Sequence, residues 1–232
     1  MKKIYFIRHG ETDYNKKNIA QGSEIDSNLN TNGINQSKLT GKYLKQFRIN
    51  NKEFDCIISS DLKRAFQTAN IIADEINYND EIIKLDILRE ISLGKLSGLD
   101  KKSELYKNFN ELQNNTYEKI IDPIKKYNFN NNCNKYYNKK LKLNIETDES
   151  INIRCDKFIK YIENCNYEKI IIISHGTFLM NLINRLFHLY FLPKDIKDNE
   201  KSNCFICYVV YKNGKYIMKS PINTQHLNIK YD

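Results

Sequence analysis

Two histidines in this chain each close an apolar run and precede a glycine, in Ile4-Tyr5-Phe6-Ile7-Arg8-His9-Gly10 and in Ile170-Ile171-Ile172-Ile173-Ser174-His175-Gly176. A buried strand that ends this way delivers an imidazole to the carboxyl edge of a sheet, where open α/β sheets gather their ligands. Two such strand ends predict one site. Gly10 removes a side chain from the first turn, so a second molecule is expected to approach the imidazole and the backbone N–H groups closely. Further along, Ser59-Ser60-Asp61-Leu62-Lys63-Arg64-Ala65 places Arg64 about one turn into a helix that follows a strand, and a guanidinium there can clamp a phosphoryl group through two parallel hydrogen bonds. Glu90, in Leu88-Arg89-Glu90-Ile91-Ser92-Leu93-Gly94, sits among apolar residues and glycines. Partial burial of its carboxyl would suit it to donate a proton near neutral pH. Taken singly, Arg64 reads as a surface arginine paired with an acid and Glu90 as a solvated loop residue; the combination carries the chemistry.

The elements that must position these groups alternate along the chain. Residues 2–7, Cys56 to Ser59 and Lys169 to Ser174 are apolar runs of strand length, with Glu81 to Leu85 as an edge strand. Helical spacing follows Thr31 (Ile34, Leu39, Tyr43, Leu44, Phe47), runs from Asp61 to Ile76 behind a Ser60-Asp61 cap, and returns over Ile151 to Tyr161 and Thr177 to Leu189. Asn203 to Tyr211 and Lys215 to Lys219 flank Asn213-Gly214, a hairpin signal. This alternation predicts an α/β fold, a three-layer α/β/α sandwich whose central sheet is mostly parallel, in one domain over 1–232. Residues 100–146, rich in Asn, Lys and Tyr and interrupted by Pro123, break the rhythm and read as a polar insertion over the sheet edge, a solvated expansion or a lid bringing Lys and Tyr to a substrate.

Composition narrows the function classes. No stretch approaches the roughly 20 apolar residues that span a bilayer, and no signal-like apolar region follows Met1-Lys2-Lys3, so a cytoplasmic, membrane-free protein is expected. The net charge of +9 suits a phosphorylated substrate as well as nucleic acid, but its lysines are scattered among Asn, Ile and Tyr instead of forming a basic helix, which disfavours nucleic acid. Six cysteines without a secretory signal read as reduced thiols. Cys204 and Cys207, three apart on an expected strand, point to opposite faces and are poorly arranged to chelate a metal. A homo-oligomer is left open.

Arg8-His9-Gly10-Glu11-Thr12, then Ser60-Asp61-Leu62-Lys63-Arg64-Ala65 with Gln67-Thr68-Ala69, then Leu88-Arg89-Glu90 with Gly94 and Gly98, then Ser174-His175-Gly176 resemble the histidine phosphatase superfamily. The similarity is to its phosphoglycerate mutase-like branch and extends to Asn15, Gln21-Gly22, Asp26, Leu29, Gly33 and Gln36. It covers most of the chain outside 100–146. It implies a phosphoglycerate mutase-like fold and a site in which His9 attacks phosphorus in line to give a phosphohistidine. Arg8, Arg64 and His175 would surround the phosphoryl oxygens, with Gly176 beside them. Asn15, Gln21 and Gly22 would add hydrogen bonds. Glu90 would protonate the leaving alcohol and then take a proton from the hydrolytic water. Neither metal nor cofactor is expected, because cationic side chains do the charge work.

The departures separate the readings. The family's Gly-Glu-Ser is Asp148-Glu149-Ser150 here, followed by Arg154, and His188 and His226 match no motif. Mutases of the family carry a Trp after the first motif and Arg-His-Tyr-Gly after the acidic residue. This chain has no Trp and reads Ile91-Ser92-Leu93-Gly94 after Glu90. The expectation is therefore a phosphomonoesterase acting on a small phosphorylated metabolite, ahead of a mutase and ahead of a catalytically silent protein that only binds a phosphorylated ligand.

Overall fold

The computed structural model describes residues 1–46, 54–117, 133–187 and 202–228. Six strands form one sheet in the order β3-β2-β4-β1-β5-β6: β1 Lys2–Arg8, β2 Cys56–Ser59, β3 Ile83–Lys84, β4 Lys169–Ser174, β5 Ile206–Lys212 and β6 Lys215–Asn223. The first four strands in that order run parallel, and β5 and β6 extend the sheet antiparallel as a hairpin. Among the described residues the α-helices are α1 Asp13–Lys16, α2 Thr31–Lys45, α3 Lys63–Ile76, α4 Glu104–Tyr117, α5 Cys133–Leu141, α6 Asp148–Asn164 and α7 Gly176–Phe187. The expected helix end at Leu189, together with Phe47, Pro123 and His188, lies outside the described residues.

Central β4 is buried on both faces, which is why Ile170 to Ile173 form an unbroken apolar run instead of an alternating one. Successive residues feed opposite layers. Ile4, Phe6, Ile170 and Ile172 join Phe158, Ile162, Phe178 and Leu182 of α6 and α7, while Tyr5, Ile7, Ile171 and Ile173 join Leu44, Ala65, Ala69 and Ile72 of α2 and α3. Pairing of β1 with β4 sets Arg8 against Ser174, and pairing of β2 with β4 sets Ser59 against Ile173. Hence His9, Ser60 and His175 leave the sheet at one level, with His9 N–H donating to Ser174 O at 3.0 Å and Ser60 N–H to Ile173 O at 2.9 Å.

Several local expectations shift. The edge strand shrinks to two residues. Helix α3 opens at Lys63 with no side-chain cap; Asp61 instead takes both Arg89 donors (2.7 and 2.6 Å), and the Ser60 hydroxyl turns to His175. Strand β5 starts only at Ile206 because Cys204 has a left-handed φ of 52°. Its partner in the Cys-x-x-Cys, Cys207, sits in the core beneath α6 and α7, so the two thiols are held apart. The turn at Asn213 and Gly214 has φ of 52° and 75°, the conformation that joins strands of right-handed twist. Within 100–146 the described parts are not merely solvated: Phe109, Tyr137, Leu143 and Ile145 join Leu96 in a third apolar cluster.

Candidate active site

At the carboxyl edge of the sheet lies a cavity of about 500 Å³ whose wall includes Arg8, His9, Asn15, Gln21, Glu90 and Gly176. His9 is 3% exposed, and its Nδ1 lies 2.7 Å from Gly10 O. A carbonyl only accepts, so Nδ1 carries the ring proton and the lone pair is on Nε2. Burial, then the Arg64 and Arg8 cations, push the His9 pKa well below the usual histidine value, which keeps the imidazole neutral and nucleophilic at neutral pH. The backbone around it is braced: His9 O accepts from Cys204 N–H (3.2 Å) and from Asn203 Nδ2 (3.1 Å), and Gly10 N–H donates to Thr68 Oγ1 (3.0 Å).

The glycine of the first motif does something other than admit a ligand. A Cβ on Gly10 would lie 2.5 Å from Gly33 O, so this residue is small to let the turn touch the first turn of α2 backbone to backbone. Gly176 does face the site. A Cβ there would lie 3.2 Å from Arg8 Nε, so its absence lets the guanidinium rest on the start of α7.

Glu90, 8% exposed, is fixed by three backbone donors: Oε1 accepts from Ile91 N–H and Phe178 N–H (both 2.9 Å) and Oε2 from Thr177 N–H (3.1 Å). Two of these belong to the first turn of α7, whose free N–H groups and dipole favour an anion. Asn15 Oδ1 accepts from Thr12 N–H (3.1 Å) and Asn203 Nδ2 (3.2 Å), which reserves its NH₂ for the cavity. Gln21 spends its side chain on the loop, accepting from Thr12 Oγ1 (3.0 Å) and donating to Ser27 Oγ.

Arg64, His175 and Gly22 are brought to the site but stand behind its wall. Arg64 is wholly buried and donates through Nε to His175 Nδ1 (3.2 Å), through one terminal nitrogen to Ile25 O (2.6 Å) and through the other to Gly22 O (3.4 Å). Burial lowers its pKa to about 10, against an opposing pull from Glu90, so it stays charged at neutral pH. His175 accepts at Nδ1, so its proton is on Nε2, directed to Ser60 Oγ at 2.8 Å. Burial and Arg64 hold it neutral. The two histidine rings are 5.1 Å apart. Gly22 has no room for a side chain beside Glu24 and Leu93.

Sequence reasoning gave no site role to Asn203 or Thr68, and its lid alternative for 100–146 named Lys and Tyr without positions; Asn203, Lys101 and Tyr106 reach the cavity wall, and Thr68 braces Gly10 behind it. Thr68 stood in the quoted Gln67-Thr68-Ala69, whereas nothing in the sequence marked Asn203. His226, unmatched by any motif, is structural. It is buried, lies 3.0 Å from Thr40 Oγ1 and stacks on Tyr43, and desolvation lowers its pKa to about 4. Among the described residues no group of three or more His, Cys, Asp or Glu is placed to hold a metal ion, and no helix is long and apolar enough to cross a membrane.

A neutral imidazole, two guanidiniums and a caged carboxylate at one sheet edge make up the parts for transferring a phosphoryl group. Residues 4–224 match the model of the histidine phosphatase superfamily (branch 1), and the chain belongs to that family. A protein of Hydrogenobacter thermophilus assigned as a phosphoserine phosphatase is 27% identical over 184 residues, covering 79% of this chain and 77% of that protein. The 2,3-bisphosphoglycerate-dependent phosphoglycerate mutase 2 of Bacteroides thetaiotaomicron is 28% identical over 201 residues, 82% and 79% of the two chains. Among solved structures, a mutant phosphoserine phosphatase of Entamoeba histolytica in complex with phosphoserine superposes with a TM-score of 0.68 and 25% identity, over 98% of this chain and all of that one. Its relatives thus include phosphatases and mutases, and the chain is an enzyme of that phosphatase-or-mutase kind.

Proposed function

We propose that the chain hydrolyses small phosphate monoesters through a phosphohistidine on His9, without a metal or an organic cofactor. The observation that carries this reading is the His9 tautomer. Gly10 O accepts a hydrogen bond from Nδ1–H, so the Nε2 lone pair is available on a ring kept neutral by burial and two neighbouring cations. In the first step Nε2 attacks phosphorus, the P–N bond forms, the ester P–O bond breaks, and Glu90, protonated once the anionic phosphoryl group lies against its carboxylate, gives that proton to the leaving oxygen. In the second step the Glu90 carboxylate takes a proton from water, the water oxygen bonds to phosphorus, and the P–N bond breaks to release phosphate and free His9. Arg8 and the Asn15 NH₂ neutralise and orient the phosphoryl oxygens, and Arg64 supplies positive potential from directly behind. Arg64 uses three of its five N–H groups on protein acceptors, so two remain for an oxygen that reaches it.

The similarity to phosphoserine phosphatases favours a phosphorylated metabolite of that size, and Lys101 on the cavity wall suits one with a further anionic group. A phosphoglycerate mutase is the second reading, favoured by the mutase relative that spans 82% of the chain. A mutase must keep water from its phosphohistidine, and this chain lacks the Trp and the Arg-His-Tyr-Gly segment of the family's mutases. The test supplies 3-phosphoglycerate with a trace of 2,3-bisphosphoglycerate and follows isomerisation and free phosphate, beside para-nitrophenyl phosphate and phosphoserine. Phosphate release outpacing isomerisation supports the phosphatase; isomerisation many-fold faster than release from every ester sinks it.

A further inference from the structure

Resting on the assignment of Glu90 as proton donor, we infer that Arg154 and Glu146 form a clamp that sets the position of Glu90 and so act as positioning residues for the proton transfer. Glu90 comes from an irregular loop, and an irregular loop does not hold a carboxylate to the tolerance proton transfer needs unless something fixes its backbone. Arg154, on α6, does this on the N-terminal side. One of its terminal nitrogens donates to Ile87 O (3.0 Å) and Arg89 O (2.8 Å), the second being the carbonyl of the peptide that Glu90 itself completes. Its other donors form a two-pronged ion pair with Glu146, Nε to Oε1 at 2.9 Å and the second terminal nitrogen to Oε2 at 2.8 Å. Glu146 closes the clamp on the C-terminal side, accepting from Ser92 N–H at Oε2 (3.2 Å) and donating its own N–H to Ser92 O (2.9 Å).

The loop is therefore held on both sides of Glu90 by one ion pair. Its side chains are only 17% and 14% exposed, sheltered enough that water does not compete freely for these bonds. The guanidinium also lies 4.5 Å over the Phe178 ring, and Phe178 N–H is one of the donors to the Glu90 carboxylate. Arg154 thus fixes the loop that carries Glu90 and the helix turn that receives it, without lining the cavity. A bidentate, planar donor is needed for this geometry, and lysine supplies only a point charge.

The experiment compares para-nitrophenyl phosphate with phenyl phosphate, two aryl esters whose leaving groups differ in need of a proton. It uses Glu90→Gln, Arg154→Ala, Arg154→Lys and the Glu90→Gln/Arg154→Ala double variant. Glu90→Gln should slow phenyl phosphate by about 10²-fold and the nitrophenyl ester far less. Arg154→Ala should reproduce that pattern at about 10-fold in kcat with KM held within about 2-fold, and should add nothing in the Glu90→Gln background. Arg154→Lys should fold as the parent does and still show the leaving-group-dependent loss. A Glu90→Gln variant that slows both esters equally removes the donor assignment and the clamp's role with it. With Glu90→Gln behaving as a donor loss, either arginine variant slowing both esters alike, or losses that multiply in the double variant, overturn the positioning role alone.

Discussion

Replacing Gly33 by alanine sets two known effects against each other, and the structure decides which wins. Gly33 lies in the first turn of α2, where Asn30 caps the helix by accepting its N–H at 2.8 Å. Helix propensity alone predicts a gain approaching 1 kcal/mol for Gly→Ala. The added methyl, however, would stand 2.1 Å from Glu11 O and 2.6 Å from Glu11 N, and both are backbone atoms that cannot rotate away. Overpacking of this kind costs about 1–3 kcal/mol, here at the upper end, leaving a net loss of about 2 kcal/mol. For a chain of this length that lowers the melting temperature by about 4–8 °C. The displaced segment is one residue from Gly10, whose carbonyl holds the His9 ring, so kcat on para-nitrophenyl phosphate should fall by about 10-fold or more. Gly214→Ala is the control: its left-handed turn is strained by any side chain, but a Cβ there meets nothing and the site is remote. It should lose about 1 kcal/mol with kcat intact. Thermal melts and initial rates on both variants make the test. A Gly33→Ala protein as stable as the parent, or fully active, refutes the argument that backbone contact at this glycine positions the nucleophile.

Acid should destabilise the fold. His9, His175 and His226 all have folded pKa values below the unfolded value, so stability is complete above about pH 6.5 and is lost as pH falls toward the folded values. For His226, lowered to about 4, the share lost at about pH 5 is about 2 kcal/mol, and urea unfolding of His226→Asn should show a correspondingly shallower pH dependence. Arg64→Met should cut kcat/KM by about 10²-fold or more while changing stability by less than about 2 kcal/mol, because relief from burying a charge offsets the lost hydrogen bonds. Denaturation that shows a large loss with activity intact would give Arg64 a purely structural role. Prolonged dialysis against a chelator should leave turnover of para-nitrophenyl phosphate unchanged; loss restored by a divalent cation would overturn the metal-free mechanism.

The sheet and its edge were legible because burial on both faces of β4 leaves an unmistakable run, Ile170 to Ile173, and because each histidine directly follows its strand. What the sequence hid is what depends on contacts between distant segments. Gly10 read as an opening for ligand, while its true neighbour is Gly33, brought there by the fold. Ser60-Asp61 read as a helix cap, but each side chain found a stronger distant partner, in His175 and Arg89. Arg64 and His175 were expected at the site; that they back its wall, bonded to one another, follows from how the 22–25 loop folds over Arg64. Residues 100–146 look polar in composition, and the apolar residues of their described parts fill one small cluster in a pattern too sparse to read before the partners are known.

The central claim is that His9 becomes phosphorylated. Rapid denaturation of the enzyme during turnover of ³²P-labelled phosphoserine or another accepted ester, followed by peptide mapping, measures it directly. The account requires label on His9, lost in acid and stable in base, and neither label nor turnover in a folded His9→Ala protein. Label on a serine or cysteine, or undiminished turnover without His9, would contradict it.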